Sequence, residues 1–113
     1  MKANELRIGN LVEYGNDIEQ ITIHHLFGVM HGDDVKPIPL TEEWLFKFWF
    51  RYNDGLFIKE NLVVFIYDGY CKVVFGSLTF VDGVKIKHVH QLQNLYFALT
   101  GEELTLKQDE NGR

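Results

Sequence analysis

The segment Lys85-Ile86-Lys87-His88-Val89-His90 concentrates more chemistry than any other in the chain. On a strand Lys85 and Lys87 share one face. His88 and His90 then stand at the mouth of a helix expected from Val89, where free N–H groups and positive partial charge favour a phosphate. With Tyr67, Tyr70 or Phe80 stacked nearby, Lys85, Lys87, His88 and His90 would form an anion or nucleotide site. The plainer reading is a charged edge strand that deters aggregation.

The other reactive residue types do not assemble into a catalytic pattern. Five histidines, His24, His25, His31, His88 and His90, raise a metal site. Adjacent His24 and His25 on a strand point to opposite faces, however, and zinc wants further oriented ligands. No metal and no cofactor is expected. Ser77, the one serine, lacks a nucleophile elbow. Cys71 lies in a strand pattern as a small hydrophobe, and a single cysteine excludes an internal disulfide. Glu42-Glu43 and Glu102-Glu103 suit helix ends and solvent better than glycoside chemistry. The glycines form neither a phosphate loop nor a dinucleotide fingerprint. A non-enzyme is expected.

A third feature is Trp44-Leu45-Phe46-Lys47-Phe48-Trp49-Phe50. Leu45, Phe48 and Trp49 make one apolar helix face, and Trp44, Phe46 and Phe50 widen it. Such a helix is covered on more than one side. The expectation is Leu45, Phe48 and Trp49 inward, with Trp44, Phe46 or Phe50 given to an interface, where aromatic anchors are enriched.

The elements that position these residues follow from patterning. Leu6 to Tyr14 is rich in strand formers, with Gly9-Asn10 as a turn or bulge and Gly15-Asn16-Asp17 as a turn. Ile18, Ile21 and Ile23 predict a half-buried strand, and Val29-Met30 a short third one. The prolines of Lys36-Pro37-Ile38-Pro39-Leu40 enforce extended backbone. Thr41 is the N-cap of a helix from Glu42 to about Arg51, with Leu40 and Leu45 as a hydrophobic staple and a stop near Asn53-Asp54-Gly55. Strands follow at Leu56–Lys59, Leu62–Tyr67, Tyr70–Phe75, Leu78–Val81 and Val84–Ile86, with Asp68-Gly69 as a hairpin turn. A helix Val89–Thr100 buries Val89, Leu92, Tyr96 and Leu99, and Gly101 ends it. Leu104-Thr105-Leu106 is a candidate edge strand. The fold class is therefore α+β, a small antiparallel sheet or SH3-like half-barrel with two helices packed on it. One domain over 1–106 and a polar tail over 107–113 are expected.

Composition sets the outer limits. The 113 residues are 46% hydrophobic, a normal globular value. Sixteen aromatic residues, 14% of the chain, are more than a core this small hides easily, so some rings belong to an interface or pocket. Eleven Lys and Arg against sixteen Asp and Glu, a net charge of −5, disfavour duplex DNA as a partner. No stretch of eighteen apolar residues occurs, and Met1-Lys2-Ala3-Asn4-Glu5 leads into no apolar leader segment. A cytoplasmic location away from membranes is expected.

Three stretches carry a resemblance: Leu6-Arg7-Ile8-Gly9-Asn10-Leu11-Val12, Lys36-Pro37-Ile38-Pro39-Leu40-Thr41-Glu42-Glu43-Trp44-Leu45, and His90-Gln91-Leu92-Gln93-Asn94-Leu95-Tyr96-Phe97-Ala98-Leu99-Thr100-Gly101-Glu102-Glu103-Leu104. Together they resemble a family of short uncharacterised proteins of Bacteroidota genomes, their phages and mobile elements. The strands between Gly55 and Val84 lie outside the resemblance. It carries no established activity or site residue, and the phage association implies host takeover or anti-defence. The expectation is a non-enzymatic binding protein acting by stoichiometric contact with a host macromolecule, as a homo-oligomer. The alternative is a sponge that sequesters a nucleotide signal at Lys85 to His90.

Overall fold

The computed structural model describes residues 5–15, 17–75 and 84–107. It divides into two compact units: Met1–Pro39 with His88–Glu103, and Leu40–Lys87 with Leu104–Arg113. The fold is α+β, with two antiparallel sheets and three helices among the described residues. None of these helices is long and apolar enough to cross a membrane.

The first unit holds β1 (Leu11–Tyr14), β2 (Asp17–Gln20), α1 (Ile23–Met30), β3 (Val35–Lys36) and α3 (Val89–Thr100). Its strands pair in the order β2-β1-β3, with Leu11 opposite Gln20 and Tyr14 opposite Asp17. Val12, Ile21 and Val35 form its apolar centre, with Leu6, Tyr14, Leu26 and Val29 packed around them.

A polar lattice ties the loop before β1 to α3. The Asn10 side chain, fully buried, accepts from the Arg7 N–H at 2.7 Å and donates to Asn94 Oδ1 at 2.8 Å. Gln93 accepts from the Leu11 N–H at 2.7 Å and donates to the Gly9 carbonyl at 3.1 Å. Arg7 donates from Nε to Asn94, pairs with Glu103 and lies 4.5 Å over the Phe97 ring. Buried amides are tolerated because each has its partner. Two of the stretches that carry the resemblance, Leu6–Val12 and His90–Leu104, are thus bonded to each other.

The second unit holds α2 (Glu42–Lys47), β4 (Arg51–Asn53), β5 (Leu56–Lys59), β6 (Leu62–Tyr67), β7 (Tyr70–Phe75) and β8 (Val84–Ile86). The five strands pair in chain order as a meander. Phe57, Val64 and Val73 fall in cross-strand register on one face and are buried. Phe46 of α2 meets Phe57 edge-on, with ring centroids 5.2 Å apart, so α2 covers that face. Leu40 and Leu45 are both buried, as a staple requires.

Several sequence expectations are corrected. Ile23 to Met30 is a helix rather than parts of two strands, so three helices replace two. Thr22 accepts from the His25 N–H, and the His25 ring accepts from the Thr22 N–H at 3.0 Å, a capping box with histidine as its third residue. Gly28 suits this helix because a Cβ there would collide with the Asp33 carboxylate and the Tyr14 hydroxyl. Thr41 caps α2 without a side-chain hydrogen bond. That helix stops at Lys47, not near Arg51, and Asp54-Gly55 instead turns β4 into β5 with positive φ at both residues. Leu99 is exposed, while His90 and Gln93 are buried in its place. Leu104 is buried, but Leu104 to Leu106 is not a strand. The turn at Gly76-Ser77, the strand expected at Leu78–Val81, and Phe80 lie outside the described residues, as does the tail after Lys107.

Candidate docking surfaces

Helix α1 is apolar around most of its circumference, yet only one side has an internal partner. Leu26 and Val29 pack on the centre of the first unit. Ile23, Phe27 and Met30, at i, i+4 and i+7, share the other side and are 67, 63 and 70% exposed. Single exposed apolar residues are ordinary, but three large ones on one helix face make a contiguous patch of the kind that marks an interaction site. The Phe27 ring stacks on exposed His31 at 4.3 Å. Between Arg7 and Lys36 the chain has no Lys or Arg, only the carboxylates Glu13, Asp17, Glu19, Asp33 and Asp34. Asp17 and Glu19 stand opposite Tyr14 and Val12 in β1, on the sheet face that α1 covers. The Asp33 carboxylate accepts from the Tyr14 hydroxyl and pushes the Tyr14 phenol above its ordinary range. The apolar face is therefore acid-bordered.

The second unit exposes a different surface. Leu45 and Phe48 point inward as expected, but Trp44 and Phe50 are also buried and cannot serve as interface anchors as they stand. Trp49, expected inward, is 52% exposed, with Phe46 at 42% and Tyr52 at 57%. The cause is the end of α2. The Trp49 N–H donates to the Phe46 carbonyl at 3.1 Å and the Phe50 N–H to the Leu45 carbonyl at 3.0 Å, a Schellman motif that requires a left-handed residue between Phe48 and Phe50. Trp49 takes that place at φ +72°, where glycine is usual. A bulky residue held there costs about 1–3 kcal/mol. This turn buries Phe50 and sends the Trp49 ring outward beneath the Lys107 ammonium, 4.9 Å from its centroid. Lys47 and Arg51 are exposed in the same stretch, and Glu43 reaches Lys47 at 3.8 Å. The surface is aromatic with a cationic border.

Lys85 and Lys87 fall in the second unit, and His88 and His90 in the first. Lys85 Nζ lies 5.4 Å over Tyr70, which stacks on Tyr67 at 5.1 Å, while Lys72 lies over Tyr67. The donors expected to be open at the start of α3 are engaged. The Val89 N–H bonds the Ile38 carbonyl at 2.8 Å, and the His88 N–H bonds Gln91 Oε1 at 3.0 Å. The His88 and His90 rings stack 5.8 Å apart. His90 is buried with its Nδ1 unpartnered. Burial, then the nearby His88, pulls its pKa down, and Glu5 partly opposes them. Cys71 is buried in β7, and desolvation pushes its thiol up, away from nucleophilic use.

Among the described residues no group of three or more His, Cys, Asp or Glu side chains is placed to hold a metal ion. His24 and His25 lie on α1, and His25 is occupied as its cap. Sequence patterning misses the α1 face because Ile18, Ile21 and Ile23 alternate like a strand. The spacing Ile23, Leu26, Phe27, Met30 is the helical signal that competes with it, with Thr22 and His25 at cap positions. No family model, curated protein or solved structure matches this chain.

Proposed function

We propose that this is a non-enzymatic binding protein that acts by stoichiometric contact, docking on a macromolecular partner through the exposed side of α1. The observation that carries the reading is the Ile23, Phe27 and Met30 face, large, apolar and open to solvent on a helix whose opposite side is already packed. Its carboxylate border selects a protein partner with an apolar surface flanked by Lys or Arg, since complementary charge sets specificity and speeds encounter. A lipid surface fits poorly, because interfacial helices carry Lys and Arg on their polar side and α1 carries none. Occlusion of a host macromolecule, with an anti-defence outcome, is the role we attach to this contact, in keeping with the resemblance to phage and mobile-element proteins.

A photo-crosslinking residue at position 27 tests the reading, with position 61, exposed in the second unit, as control. The expected result is a one-to-one protein adduct from position 27 that is absent from position 61, weakens with added salt and disappears in a Met30→Asp background. Equal adducts from both positions, or none from position 27, would contradict it.

Sequestration of a nucleotide remains the second reading, now centred on Tyr67, Tyr70, Lys72 and Lys85 rather than on the α3 terminus. The cations over a stacked tyrosine pair favour it. Ligand-dependent stabilisation lost in Lys85→Ala, with the ligand recovered unchanged, would support it.

A further inference from the structure

We infer that the chain self-associates head to tail, the α1 face of one copy seating on the Phe46, Trp49 and Tyr52 patch of a second copy. The inference rests on the docking role of α1 and names a second occupant for that face. Both surfaces are exposed in the single chain, and both are built from large apolar side chains on short, rigid elements. Trp49 is the sharper clue. Its backbone position favours glycine, so the ring is retained against a local cost. Exposed as it is, Trp49 is shaped as an anchor for something outside the chain.

Charge decides which surfaces meet. The first unit holds three Lys and Arg against eight Asp and Glu, whereas the second holds eight against eight, so the whole net charge of −5 sits on the first. Packing α1 on a second α1 would bring Asp33 and Asp34 against their own copies. Joining two aromatic patches would oppose Lys47, Arg51 and Lys107 in the same way. Only the mixed pairing sets carboxylates beside cations. Such a contact is heterologous, so unless the assembly closes, one copy keeps an open α1 face. Self-association and partner docking then compete for the same apolar surface.

The test is the mass of the full chain in solution, by sedimentation over a hundred-fold concentration range. Wild type is expected to exceed one chain as concentration rises, and to do so less at high salt. Phe27→Asp and Trp49→Gly should each be monomeric, with at least ten-fold weaker association. Their equimolar mixture should form a dimer, because one variant keeps a working patch and the other a working α1 face. Trp49→Gly suits its left-handed position, so it tests the ring without disturbing the fold, and a thermal melt of each variant checks this. A wild-type monomer throughout, association by either variant alone, or a monomeric mixture of folded variants would overturn the inference. So would a monomer whose Trp49 emission shifts on adding oligothymidylate, which would hand the patch to single-stranded nucleic acid. The two proposals fail separately. Trp49→Gly abolishes self-association and leaves the crosslink from position 27 intact, whereas Phe27→Asp removes both contacts.

Discussion

The two units reach stability by different means. In the first, the centre is small, and Asn10, Gln93, Asn94 and Arg7 hold the N-terminal loop to α3 through directional bonds. In the second, a five-strand meander and α2 bury rings and branched aliphatics around Phe57 with few polar ties. The difference carries to their surfaces. A unit locked by a polar lattice can leave a whole apolar helix face open, because α1 contributes only Leu26 and Val29 to the centre. A unit that depends on aromatic burial exposes rings only where the backbone forces one outward, as at Trp49.

The largest effect that would sharpen this contrast is Phe57→Ala. Phe57 is buried between Phe46 and Tyr52, and the cavity should cost about 3–5 kcal/mol in denaturant unfolding. Gln93→Leu keeps the volume but strands the Leu11 N–H and the Gly9 carbonyl, so the loss should be about 2–3 kcal/mol. A tolerated Gln93→Leu would break the lattice account.

Trp49→Gly should act in the opposite direction and raise stability by about 1 kcal/mol, since glycine takes positive φ at little cost. A loss comparable to that at Phe57 would show that the ring is structural, and the anchor role would fall with it.

The smallest effect is set by pH. His90 is held neutral in the folded chain with its pKa below the unfolded value of 6.5. Between those two values the unfolded chain binds more protons, so stability is complete above about pH 6.5 and declines as pH falls through that window. His90→Leu should flatten the acid side of a stability–pH profile, while His24→Leu, at an exposed position, should leave it unchanged.

Much of the second unit is legible in its residue pattern. The spans Leu56–Lys59, Leu62–Tyr67 and Tyr70–Phe75 follow at their observed bounds, because strand formers there are bracketed by turn residues. Helix Val89–Thr100 follows likewise from its apolar stripe and Gly101, which adopts φ +76°. What escapes the pattern is tertiary in origin. The capping role of His25 depends on a ring nitrogen standing where glutamate or glutamine is usual. The outward turn of Trp49 depends on a left-handed tryptophan that no propensity favours. The loss of an open α3 terminus follows from Ile38, a residue far away in sequence, which takes the Val89 N–H. In the same way Lys85 and Lys87 belong to one unit and His88 and His90 to the other, although the four are neighbours in the chain.

The central claim is that the open side of α1 is the working surface. The most direct measurement is native mass spectrometry of complexes recovered with tagged wild type, Phe27→Asp and a control, Asn61→Asp, from the same cells. A one-to-one complex with a single protein, retained by Asn61→Asp and reduced at least ten-fold in Phe27→Asp, is the predicted result. Undiminished recovery of that complex by Phe27→Asp would contradict the account.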